Sequence, residues 1–353
     1  MKPFFLYRLL PIILCLSILP LGLGAFQSLS HAADRTGQEN KKLTHPEAPF
    51  KGTDLEPFDM ESAKTAEIVF SAFKEGYPEK ISEYGYDPVA QDWFIIAGQK
   101  KFLWAKGRIL LESEASQAEQ YRHYIDYLYP AELIPPESFS SELVAEIKRT
   151  SDSSYRASQK AYNLEFYHAL YDGKTRSQLE QHIVSLRFLG KRVNLHEDIT
   201  SPLAAVEKEI QAVAKKNQEV QDFVNKISSV EGYNWREIRD RQDRSFHSWG
   251  LALDILPKGW QQKNIYWSWI SEWNPNWMLI PLDRRWMPPQ LVVEIFEKHG
   301  FVWGGKWLQW DNIHFEYRPE LVLLQENQYS RSRDASLKPL TRLCYGSPKI
   351  VEP

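Results

Sequence analysis

The stretch Ser245–Asp254 (SFHSWGLALD) limits the local fold more tightly than any other part of the chain. From Gly250 to Leu256, apolar residues alternate with small or acidic ones, which is the period of a strand with one face in the core. Leu251, Leu253 and Ile255 form the core face, Gly250, Ala252 and Asp254 the other, and His247 stands just before the strand. A face with only small residues and one carboxylate leaves room for something that Asp254 and His247 both touch. A second short strand, Ile313–Tyr317 in WDNIHFEYRP, behaves alike. There Ile313, Phe315 and Tyr317 share one side, His314 and Glu316 the other.

Together, His247, Asp254 and His314 offer two imidazoles and one carboxylate. A catalytic zinc takes three protein ligands of this kind and keeps a fourth position for water. Asp311, three residues before His314, is placed to act as general base toward such a water and then to protonate a leaving amine. Each residue alone has an ordinary explanation. Asp254 can cap a turn, Asp311 can open a strand, and His31, His45, His123, His168, His182, His196 and His299 read as core or surface histidines. The joint spacing is what singles out the set. Non-haem iron oxygenases also use two His and one carboxylate, but their carboxylate usually follows the first His by two residues rather than seven.

The chain begins with a basic start (Lys2, Arg8), an apolar run from Leu9 to Phe26, and Ser30-His31-Ala32, the pattern of a secretory signal peptide over residues 1–32. A retained membrane anchor fits less well, since the run contains Pro11 and Pro20 and is barely long enough to span. The reading is therefore an exported protein without stable membrane insertion. Losing Lys2 and Arg8 takes the net charge from −3 to −5, which gives no electrostatic basis for binding nucleic acid or anionic membrane. Cys344 is then the sole cysteine, so neither an intramolecular disulfide nor a multi-thiolate metal site can form.

The remaining chain, about 320 residues, has room for one large or two modest domains. Residues 33–58 are polar and Pro/Gly-punctuated, a flexible leader. Residues 59–190 read as a mixed accessory region, with strands around a turn at Gly98 and helix-forming composition from Ser140 to Leu189. A domain over 191–326 follows. Ser201-Pro202 opens a helix, Ser as N-cap and Pro at the first position; Phe223, Val224 and Ile227 continue its pattern after a break near Asn217. Another helix starts at Pro288-Pro289 and stops at Gly300. Residues 327–353 read as a loose tail. Eleven of the thirteen tryptophans fall between Trp235 and Trp310, either lining a groove or packing the insert that follows Pro257.

Ser245-x-His247-x-x-Gly250-x-Ala252-x-Asp254 resembles the first motif of the LAS-type zinc peptidases, and GFVWGGKWLQWDNIHFEY resembles their second block. This family contains D-alanyl-D-alanine carboxypeptidases, dipeptidases and L-alanyl-D-glutamate endopeptidases. The resemblance covers about residues 200–320. It implies an α+β domain in which a small antiparallel sheet carries one zinc ion, with helices packed on it. It makes His247, Asp254 and His314 the ligands, Asp311 the catalytic acid/base where many members have Glu, and Glu316 the residue that orients His314. It calls for an arginine upstream to hold substrate and steady the oxyanion. Arg236, Arg239, Arg241 and Arg244 are available; Arg236, in Tyr-Asn-Trp-Arg, fits best. Ser245 would contact substrate or fix the loop. The implied activity is hydrolysis of peptidoglycan stem peptides, of the D-Ala-D-Ala carboxypeptidase or L-Ala-D-Glu endopeptidase type. The alternative is a zinc-containing wall-binding module without turnover.

Overall fold

The structure is a computed structural model and describes residues 62–124, 129–236, 238, 240 and 243–332. The signal peptide, the leader, Cys344 and the last part of the tail lie outside these residues. No helix among the described residues is long and apolar enough to cross a membrane.

Helix α1 (Ala63–Gly76) starts at Ser62, whose hydroxyl accepts from the N–H of Thr65. It buries Val69, Phe70 and Phe73. Strands β1 (Ile81–Asp87), β2 (Asp92–Ala97), β3 (Lys100–Leu103) and β4 (Leu110–Leu111) follow as an antiparallel sheet in sequence order. The turn expected at Gly98 joins β2 to β3.

The stretch Ser140–Leu189 is not one helical region. It contains α2 (Ser141–Ser151), α3 (Ser153–Ser158), α4 (Glu165–Tyr171) and α5 (Arg176–Leu179), then strand β5 (Ile183–Phe188). Asp152 ends α2 and caps α3 by accepting from the N–H groups of Ser154 and Tyr155. Tertiary pairing decides β5: Ile183–Phe188 lies antiparallel to β6 (Lys191–His196), a partner that composition alone does not reveal. Position 190 falls in the turn of this hairpin.

Helices α6 (Thr200–Ala214) and α7 (Gln218–Lys226) come next. Ile199, not Ser201, occupies the N-cap of α6, so Ser201 and Pro202 lie in its first turn, where proline's missing N–H goes unneeded. Asn217 caps α7 by accepting from the N–H of Val220. Ile227, expected to extend the helical face, instead opens strand β7 (Ile227–Glu231).

Strand β8 (Ala252–Pro257), helices α8 (Trp267–Ser271) and α9 (Gln290–Lys298), and strands β9 (Phe301–Trp303) and β10 (His314–Tyr317) lead to α10 (Pro319–Ser332). Gly300, at φ 83°, stops α9 in the left-handed conformation that glycine allows. The backbone of residues 327–332 completes α10, where a loose tail was expected. The strands form an antiparallel sheet in the order β7-β8-β10-β9. The fold is thus mixed α+β with small antiparallel sheets.

One hydrophobic cluster runs from Phe70 and Phe73 through Phe102, Phe166 and Leu195 to Leu253, Phe296, Phe315 and Leu321. It therefore joins the elements before position 190 to the sheet β7-β8-β10-β9. Most of the tryptophans pack rather than line a groove. Trp249 and Trp303 sit in the main core, and Trp267, Trp277 and Trp310 form a second cluster with Ile147 and Met278. Trp273, 67 % exposed, and Trp269, 39 % exposed, are the ones most open to solvent.

Candidate active site

Strand register places the first two chemical groups. His314 pairs with Asp254 across β10 and β8, so their side chains project from the same face of neighbouring strands. Glu316 pairs with Ala252 in the same way, and the small alanine leaves the space that the carboxylate occupies. The third group comes from the 3₁₀ turn Phe246–Trp249 before β8. Ser245 caps that turn, its buried hydroxyl accepting from the N–H of His247 at 3.3 Å.

Gly250 differs from the sequence expectation. It lies outside the strand, which begins at Ala252, and closes the turn at φ 68°. Its missing side chain makes no room for a ligand. A Cβ there would sit 2.7 Å from the backbone nitrogen of His196 and 2.6 Å from Cδ1 of Ile183, so the glycine is needed for the close approach of the β5–β6 hairpin.

His247 Nε2, Asp254 Oδ1 and His314 Nδ1 lie 3.0 to 3.2 Å from one another. The other nitrogen of each imidazole is committed. His247 Nδ1 donates to the carbonyl of Gly232 at 2.8 Å, and His314 Nε2 donates to Glu316 at 3.1 Å. These bonds fix both tautomers so that two lone pairs and a carboxylate oxygen converge. Three acceptors this close repel unless a cation or a shared proton lies among them, and this donor set can hold a metal ion. The charges respond accordingly. Burial opposes ionisation of Asp254, but the charge and hydrogen bonds of His247 and His314 hold it well below the usual carboxylate range. Burial likewise works against His314⁺, yet Asp254 and Glu316 outweigh it and raise His314 well above the usual range.

Asp311 sits on the turn before β10. Its N–H donates to the carbonyl of Gly304 at 3.0 Å, and its own carbonyl accepts from His314 N–H at 3.2 Å. Burial, then the charge of Asp254, pushes its carboxyl up to about 8. Oδ1 is out of contact with solvent and has no hydrogen-bond partner among the described residues. A buried carboxyl near a cluster that can hold a cation is chemically able to exchange a proton with a group bound there.

Residues 239–317 match the family model described as D-alanyl-D-alanine carboxypeptidase. The match takes in His247, Asp254, Asp311, His314 and Glu316, the residues on which the LAS-type resemblance rests. A second model, of a domain of unknown function, matches residues 69–126. No curated protein and no solved structure matches the chain.

One group near the site lies outside the matched segment. Arg236 is exposed just upstream, on the groove that opens over His247 and Asp254, and its charge reaches Asp311. Ser248, which sequence reasoning missed, holds the arginine's backbone. Its hydroxyl accepts from Arg236 N–H at 2.7 Å and donates to the Arg236 carbonyl. Arg244 is turned away from that role, its guanidinium lying 3.6 Å from the Trp235 ring centre and 3.9 Å from that of Trp249. Arg239 and Arg241 lie outside the described residues.

Behind His314, Glu316 meets Arg318, Arg318 meets Glu320, and Glu320 accepts from Tyr77 at 2.8 Å. This buried chain of charges ties the orientation of His314 to the residue that follows α1. The signal for it was readable only in part, since Glu316 stood out in HFEY whereas Tyr77 is remote in sequence.

Proposed function

We propose that the chain is an exported zinc-dependent peptidase that hydrolyses peptidoglycan stem peptides, of the D-Ala-D-Ala carboxypeptidase or L-Ala-D-Glu endopeptidase type. One observation carries the reading: His247 Nε2, Asp254 Oδ1 and His314 Nδ1 converge with both tautomers fixed, inside the segment that matches D-alanyl-D-alanine carboxypeptidases. His247, Asp254 and His314 would hold one zinc ion. Bound there, zinc supplies Lewis-acid polarisation of a scissile carbonyl and makes water acidic enough to attack near neutral pH.

The chain's own residues do the rest. Asp311 takes the proton from the attacking water and returns it to the leaving amine, a role open to its carboxylate once a cation on the cluster offsets the charge of Asp254. Arg236 offers a permanent cation to the oxygen that gains charge. Glu316 and the Gly232 carbonyl keep the two imidazoles in register. Export is supported by the apolar N-terminal run, and it would deliver the enzyme to a compartment where wall peptides are the substrate at hand.

Mass spectrometry of defined stem peptides after incubation with the zinc-loaded protein tests the proposal. Loss of a terminal D-alanine marks the carboxypeptidase and a cut between L-alanine and D-glutamate the endopeptidase, each abolished by a chelator. Intact peptides in the presence of bound zinc would exclude both.

A further inference from the structure

A groove of about 450 Å³ opens over His247 and Asp254, and one of its walls comes from outside the family-matched segment. That wall is strand β6. Val193 and Leu195 point into the core, whereas Arg192 and Asn194 are exposed on the opposite face and line the groove. Asn234 and Arg236 stand on the groove as well.

The wall is anchored to the same backbone that holds the metal-binding cluster. Tyr233 N–H donates to the Asn194 carbonyl at 2.7 Å, and His196 N–H donates to the Gly250 carbonyl at 2.9 Å. Gly232, whose carbonyl orients His247, lies so close that a Cβ would be 2.3 Å from Asn194 O. β6 is therefore a fixed part of the groove, and the backbone of Arg192 is held in a set position relative to His247.

The charges on the groove give it a use. Among the described residues, neither the Arg192 nor the Arg236 guanidinium has a hydrogen-bond acceptor or an ion-pair partner. Glu231 and Asp254 are the acids on this groove, and a divalent cation on the cluster would more than offset Asp254. Two arginines on a groove with a single remaining acid favour an anionic ligand, and the planar fork of arginine suits a carboxylate.

We infer that Arg192 is a specificity-determining residue that binds a carboxylate of the peptide substrate, apart from the scissile group that Arg236 meets. This rests on the peptidase reading above and deepens it. A strand outside the family-matched segment then supplies part of the active site, and the preferred substrates are peptides with a free carboxylate on the β6 side.

The test uses the zinc-loaded full chain carrying Asp311→Ala, with and without Arg192→Gln. Calorimetry measures binding of a stem pentapeptide with free carboxylates and of versions in which each carboxylate is amidated singly. One amidation is expected to weaken binding by about tenfold or more. Arg192→Gln should weaken the free-acid peptide by a similar factor and erase that preference, while Arg192→Lys restores part of it. A preference unchanged by Arg192→Gln, equal binding of all the peptides, or binding of none would overturn the inference. Turnover by the wild-type chain separates the two readings. Preference without cleavage overturns the hydrolase and keeps the carboxylate site; cleavage with an unaltered preference keeps the hydrolase and overturns the site.

Discussion

His247 Nε2 lies 3.2 Å from His314 Nδ1, and each imidazole gives its proton to an acceptor on its far side. With those bonds made outward, the inward nitrogens can offer lone pairs beside a carboxylate oxygen, a good cation site once any proton on His314 Nδ1 is displaced.

Metal loading should displace a proton. The metal-free His314 holds its proton to a pH well above the ordinary histidine range, because Asp254 and Glu316 outweigh the effect of burial. A ligand must bind through its lone pair, so zinc and proton compete, and affinity falls as pH drops below that raised value. Calorimetric titration with zinc near neutral pH, in buffers of different ionisation enthalpy, should show release of about one proton. Heats independent of the buffer would contradict this.

Glu316→Gln should weaken zinc binding by about 10- to 100-fold while leaving the fold intact. The amide can still accept from His314 Nε2, but it loses the charge that makes the ring a stronger ligand and that answers Arg318. Competition with a chromogenic chelator measures the change. An unaltered affinity would leave Glu316 with a packing role only.

Gly304→Ala should reduce turnover more than metal content. A Cβ at position 304 would fall 2.7 Å from the Asp311 carbonyl oxygen and 3.1 Å from Asp311 Cβ, pushing the acid/base group off its position. A displacement of that order costs on the order of 10²-fold in rate. Steady-state kinetics paired with metal analysis would detect the split between kcat and zinc occupancy.

Gly250→Ala should destabilise the whole chain by more than about 1 kcal/mol, since it strains a left-handed residue and forces β6 away from the turn. Urea unfolding would show a lower midpoint with an unchanged slope. A midpoint equal to that of the wild type would mean that the hairpin is not packed against Gly250.

The sequence carried the site further than it carried the fold. Alternation in LALDIL and in IHFEY placed Asp254, His314 and Glu316 on their strands, because a half-buried strand writes its two faces directly into the order of residues. Gly250 looked like space for a ligand and proved to be space for another strand, since local order does not reveal which distant segment will press against a glycine. The same blindness explains Ile183–Phe188, whose strand conformation depends on β6, and Ile227, which leaves a helical pattern to join β8. Ser248 and Tyr77 were invisible for the same reason: each acts through a residue that only folding brings near.

The most direct test of the central claim compares turnover of the wild-type chain and Asp311→Ala on a D-Ala-D-Ala peptide at equal zinc content. Both proteins should hold one zinc per chain, and the variant should turn over about 10² to 10⁴ more slowly. Equal rates at equal zinc content would contradict the claim, as would a wild-type chain that binds no zinc.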